Sequence, residues 1–139
     1  MSLSAAILWI RVLSASLVLF GLIVAAAAHP ASAGLADFLL DLLKWPPDGA
    51  DAFGSPEGRF IAGVGGGVMA GWGAMMMMLA SQLLPGNPAG GRKVLIAGLL
   101  VWFAIDSTAT WIAGVPLNLP GNALYLAAFL FPLLRMKTS

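Results

Sequence analysis

Asp106 is the acid whose setting invites chemistry. It lies in Val101-Trp102-Phe103-Ala104-Ile105-Asp106-Ser107-Thr108-Ala109-Thr110-Trp111, and no other acid sits inside a long apolar run of this chain. A carboxylate at membrane depth is costly, so such groups face a bundle interior and take a partner. Trp102 and Thr110 share its helical face at i−4 and i+4. Ser107, Asn118, Asn122 and Tyr125 lie near it in depth, and Arg59, opening another apolar run, is the natural cation to pair with it. The candidate ligand-binding residues are therefore Asp106, Arg59, Trp102, Thr110, Asn118 and Asn122. One carboxylate among amides is not a catalytic set, so no catalytic residue is assigned. Two roles compete for Asp106. It can fix helix register through an ion pair or hydrogen bonds, where losing one partner is costly even though the pair adds little net stability. It can instead line a pocket, where it binds a polar headgroup or moves a proton.

Little else in the chain is reactive. Cys is absent, which excludes disulfides, thiolate metal sites and cysteine nucleophiles. His29 stands alone at a helix end. Asp48 and Asp51 lack the remaining ligand spacing of a calcium loop. Met75 to Met78 point about 100° apart on a helix, so they form no single soft-metal site and read as packing or lipid-facing filler. No metal and no cofactor is expected. With no basic block, nucleic acid is not a partner.

The elements that position Asp106 are membrane helices. The chain has 139 residues, of which 60% are hydrophobic and 9% charged, against about 25% charged in a soluble domain. Apolar runs at about 5–28, 59–84, 93–114 and 121–135 predict an all-α, integral membrane four-helix bundle in a single domain, residues 1–139. The last run is short for a full span and needs local thinning of the bilayer. The first run has signal-peptide features, Arg11 ahead of an apolar stretch and Ala31-Ser32-Ala33 after it. Its length exceeds a usual signal core, so it reads as a retained membrane helix ended by His29-Pro30.

Between the first two spans, residues 34–45 place Leu35, Phe38, Leu39, Leu42 and Leu43 opposite Asp37, Asp41 and Lys44. This is an amphipathic helix too short to cross, predicted to lie in the interface with Trp45 at headgroup level. Ser55, Pro56 and Glu57 are suited to start the next helix. That helix carries Gly63, Gly67 and Gly71 at four-residue spacing, with Ala62, Gly66, Ala70 and Ala74 on the adjacent ridge. Small residues let helix backbones approach closely, and Gly63, Gly67 and Gly71 are the predicted packing stripe, within the monomer or against another subunit. Residues 85–91 read as a short turn, and Pro116 and Pro120 bound another.

Four spans sort the charges. One side collects Arg11, Arg92, Lys93, Arg135 and Lys137; the other holds Asp37, Asp41, Asp48, Asp51 and Glu57 with Lys44 and Arg59. The positive-inside rule then places both termini in the cytoplasm, in a bacterial inner membrane. Asp106, 13 residues beyond Lys93, lies roughly 20 Å along its helix, in the outer half of the bilayer.

Arg59-Phe60, Gly66-Gly67-Val68-Met69-Ala70-Gly71-Trp72-Gly73, Trp102-Phe103 with Asp106-Ser107, and Pro116-Leu117-Asn118 with Asn122 resemble the pattern of uncharacterised small four-helix bacterial inner-membrane proteins. The likeness covers about the last two-thirds of the chain and implies the fold but no activity. The chain does not resemble the four-helix glutathione-transferring membrane enzymes, whose Arg/Asn/Glu pattern it lacks. The expected function is that of a non-enzymatic inner-membrane protein. Either it is an accessory subunit of a larger complex or it is a lipid- or apolar-ligand-binding module. Its expected partners are membrane lipids, with a membrane complex or a homo-oligomer. The alternatives are a small oligomeric proton-coupled transporter using Asp106 and a membrane enzyme acting on an apolar substrate.

Overall fold

A computed structural model describes residues 1–50 and 52–137. Asp51, one of the two loop acids weighed for calcium, lies outside them. All regular structure among the described residues is helical. We label the helices α1 (Leu3–Ala26), α2 (Gly34–Lys44), α3 (Pro56–Met78), α4 (Pro88–Ile112) and α5 (Asn118–Arg135). A π-helical stretch Leu79–Leu83 and a last turn Leu84–Gly86 prolong α3 without a break. Three helices are long and apolar enough to cross a membrane: α1, α3 with its extension (Pro56–Gly86), and α4.

The helix ends follow local chemistry. Ser2 caps α1, its hydroxyl accepting from Ala5 N at 3.2 Å. Ser55 caps α3 by accepting from Gly58 N at 2.9 Å, with Pro56 in the first turn and Glu57 near the positive end of the helix, as expected. Helix α1 ends at Ala26, three residues before His29-Pro30. Ser32 Oγ donates to the carbonyl of Ala26 at 2.6 Å and satisfies that end. His29 takes a local role, its Nδ1 accepting from Ala31 N.

The connection expected at 85–91 is shorter than predicted. Only Asn87 leaves helical geometry; its side chain accepts from Gly90 N at 2.9 Å and Pro88 occupies the first helical position of α4. Helix α5 likewise starts three residues ahead of the predicted 121. Pro120 falls within its first turn, where no backbone N–H has an intrahelical partner to lose.

Helix α1 is central. It packs most extensively on α3, then on α5, while α4 packs on α5. The α1–α3 seam is a backbone approach through Gly66. A Cβ there would lie 2.5 Å from the carbonyl oxygen of Gly21 and 2.7 Å from Cα of Ala25. Gly73 meets the carbonyl of Ser14 in the same way, at 2.9 Å, and Ala62 is buried on the same ridge. Within the chain this corrects the predicted stripe. A Cβ at Gly67 or Gly71 would meet nothing within 4 Å among the described residues, and one at Gly63 only Ala28 Cβ, at 3.3 Å. The helix uses the adjacent ridge, one residue back from the predicted one.

The buried core joins Ile10, Met76, Leu84, Leu95, Leu99, Phe129 and Leu133, at the end of the molecule where the chain termini lie. The amino group of Met1 donates to the carbonyl of Arg135 at 2.9 Å, and Lys137 N donates back to the carbonyl of Met1 at 3.3 Å. The far end has a smaller cluster, Ala27, Ala33, Ala36 and Ala62, beneath α2. Outward faces are apolar over the full helix length: Val68 and Ile105 are each 68% exposed and Leu124 73%. An apolar surface of that extent suits hydrocarbon rather than water.

Helix α2 has the predicted amphipathic stripe, with Leu35, Phe38, Leu42 and Trp45 exposed. Its acids do more than meet solvent. Both Asp41 oxygens accept backbone N–H groups, from Asp48 at 2.9 Å and Gly49 at 3.0 Å, and Asp37 accepts from Phe53 N at 3.2 Å. Lys44 bonds Asp48 at 2.6 Å. These contacts satisfy a loop whose Pro and Gly content denies it a helix of its own. Leu117 N donates to the carbonyl of Leu43, tying α2 to the α4–α5 connection.

Candidate polar site between helices four and five

The site begins with a turn. At the end of α4, Gly114 takes φ +72°, a conformation that favours glycine. Gly114 N bonds the carbonyl of Trp111 and Val115 N that of Thr110, each at 3.2 Å. This is a Schellman closure. Pro116 follows and the chain returns as α5. Because the turn is tight, residues equidistant from Gly114 meet across the hairpin. Asp106 and Asn122 are one such pair, and Thr110 and Asn118 are the next, one helical turn nearer the bend.

The hydrogen bonds follow that register. Asn122 Nδ2 donates to Asp106 Oδ2 at 2.5 Å, and Asn118 Nδ2 donates to the same oxygen at 3.3 Å. Asn118 Nδ2 also reaches Thr110 Oγ1 at 2.8 Å, and Asn122 Nδ2 reaches Ser107 Oγ at 3.5 Å. Thr110 and Asn122 are buried, 7% and 6% exposed, while Asp106 is half-buried. Both amides converge on Oδ2. Among the described residues nothing bonds Oδ1, and no buried side-chain polar atom lacks a partner. Oδ1 is therefore not fully enclosed. Asp106 is six residues before the end of α4, about 9 Å along the helix axis.

Aromatic rings lie one turn deeper. Trp102 sits 5.5 Å from Trp72 of α3 and 6.2 Å from Tyr125 of α5, and Tyr125 is 5.3 Å from Phe129. The Tyr125 hydroxyl donates to the carbonyl of Leu13 at 2.8 Å and lies 2.9 Å from Ser16 Oγ. Through these rings α4 and α5 are coupled to α1 and α3.

Five of the six predicted residues, Asp106, Trp102, Thr110, Asn118 and Asn122, thus lie in or beside one cluster. Arg59 does not join them. Its guanidinium donates to the carbonyls of Gly54 at 2.6 Å and Phe53 at 3.5 Å, holding the loop ahead of α3. The one ion pair among the described residues is Lys44–Asp48, so the expected Arg59–Asp106 pair is not formed. The physical reason is that Arg59 lies in the first turn of its helix, where loop carbonyls are nearer than the interior of the next hairpin. Trp72 and Ser16 were not predicted; only the packing of α3 and α1 brings them near. No group of three or more His, Cys, Asp or Glu side chains able to hold a metal occurs among the described residues. A cleft of about 160 Å³ lined by Leu40, Asp41, Lys44, Asp48, Ala50 and Val115 lies elsewhere, against α2, and its charged groups already bond one another or the loop backbone.

No family model, curated protein or solved structure matches the chain.

Proposed function

We propose that the protein is a non-enzymatic inner-membrane binding module that takes a lipid, or another apolar molecule with a polar head, at the open oxygen of Asp106. The observation that carries this reading is the split use of one carboxylate. Oδ2 is fixed by two amides while Oδ1 bonds nothing among the described residues and is not fully enclosed. A group that served only to fix register would be free to use both oxygens internally, and this one leaves half of its acceptor capacity unused among the described residues.

The membrane placement has its own support. In this reading α5 is the fourth crossing. Its 18 residues measure about 27 Å, sufficient with slight thinning. The hydrogen bonds between Met1 and Arg135 hold both chain ends at one side, with Arg11, Arg92, Lys93 and Lys137 on the helices and tail of that side. That side is cytoplasmic by the positive-inside rule. Asp106 then lies near the outer headgroup boundary, within reach of a lipid headgroup.

Native mass spectrometry of the protein gently extracted from its membrane tests the proposal. A bound lipid or apolar metabolite retained by the native chain and lost in Asp106→Asn is expected. A stoichiometric protein partner with no Asp106-dependent small molecule would replace the proposal with an accessory-subunit role.

A further inference from the structure

We infer that the headgroup taken at Asp106 carries a primary ammonium group. The inference rests on the binding role proposed above and adds the chemical class of the ligand. Three observations point the same way. First, among the described residues the carboxylate has no cation of its own. Its donors are the neutral amides of Asn118 and Asn122, and the ion pair among the described residues is elsewhere. A charge at this depth calls for a counter-charge. Second, Oδ1 has acceptor capacity that nothing among the described residues uses, which suits a ligand with N–H or O–H groups. An ammonium offers three such donors with the charge Asp106 lacks. Third, Trp102 lies one turn away on the same face, within a cluster that includes Trp72 and Tyr125. Aromatic faces attract cations, primary or quaternary, and repel anions, so the rings favour a cation and the hydrogen-bonding oxygen selects one with N–H groups. A phosphate or carboxylate headgroup would meet Asp106 as a like charge. A quaternary ammonium would satisfy the charge but give Oδ1 no hydrogen bond.

The experiment uses the full chain in nanodiscs of equal parts phosphatidylethanolamine and phosphatidylglycerol, with phosphatidylcholine replacing the first lipid in a parallel set. Lipids retained after release into detergent are counted by native mass spectrometry. The expected result is a preference of about tenfold for phosphatidylethanolamine over both others, the size of one charge-assisted hydrogen bond, falling to parity in Asp106→Asn. Retention of phosphatidylglycerol or phosphatidylcholine that is equal or greater, and lost in Asp106→Asn, overturns the ammonium assignment and leaves the binding role standing. Lipid retention that is the same in both proteins, with no Asp106-dependent response to ethanolamine in the third arm, overturns both. A third arm adds ethanolamine to the lipid-stripped protein in detergent. Asp106-dependent stabilisation there, with no lipid preference, keeps the ammonium chemistry and makes the ligand a soluble amine. If Asp106→Asn does not accumulate, Trp102→Leu leaves the carboxylate in place. A severalfold weaker preference is then expected, and an unchanged one overturns the inference.

Discussion

Exchanging the two neighbouring glycines Gly66 and Gly67 for alanine separates the real helix seam from the apparent one. At Gly66 the new methyl would sit 2.5 Å from the Gly21 oxygen and nearer still to the Ala25 nitrogen, where ordinary contact starts at 3.4 Å, so the shortfall is at least about 0.9 Å. The atoms it meets are backbone on both sides, and no side chain can turn away. Helix α1 has to retreat by most of that distance. A gap of about 0.5–1 Å forfeits a quarter to a half of each dispersion contact along the seam. Overpacking of this kind costs about 1–3 kcal/mol. At Gly67 nothing lies within 4 Å, and replacing an interior helical glycine by alanine gains up to about 1 kcal/mol. Both positions share the helical gain of alanine, so chemical unfolding of the purified protein in mixed micelles should rank Gly67→Ala at or above the native chain and Gly66→Ala about 1–3 kcal/mol below Gly67→Ala. Equal stability of the two variants would refute the placement of α1 against the Gly66 ridge.

Two further outcomes follow from local contacts. Asp48 titrates below its ordinary 3.8, chiefly through the hydrogen bond from Lys44, and Lys44 titrates above its ordinary 10.5, chiefly through the same bond. Asp48 therefore steadies the loop above pH 3.8 and loses that role as pH falls through its lowered value; Lys44 contributes below 10.5 and loses its role as pH rises through its raised value. An NMR titration of Lys44→Ala should move the Asp48 midpoint back up towards 3.8, and an unmoved midpoint would dismiss the pair. Asn87→Ala removes the cap on Gly90 N and should cost about 1 kcal/mol by unfolding, most of it restored by Asn87→Ser. A neutral Asn87→Ala would mean that Pro88 alone sets the bend.

Within the chain, what neighbours in sequence encode was legible and what distant elements choose was not. The amphipathic period of α2 and the Ser55-Pro56-Glu57 start of α3 are settled within a turn or two of backbone. The gathering of Asp106 and Thr110 with Asn118 and Asn122 is nearly as local, since a tight turn at Gly114 leaves the returning helix little freedom of register. The glycine ridges of α3 are different. Both Gly63-Gly67-Gly71 and Ala62-Gly66-Ala70 are small, both have the right spacing, and they differ by one residue, or about 100° of rotation. Only the position of α1 decides between them, through contact of Gly66 with Gly21 and Ala25. Arg59 is the same kind of case. Its charge was visible and its partner was not, because a long flexible side chain bonds whichever acceptor the fold brings nearest, here the carbonyl of Gly54. Composition and period determined that this is a helical chain with membrane-length apolar helices. The tertiary structure decided which faces meet, and so left Asp106, among the described residues, with two amides, no cation and one oxygen without a partner.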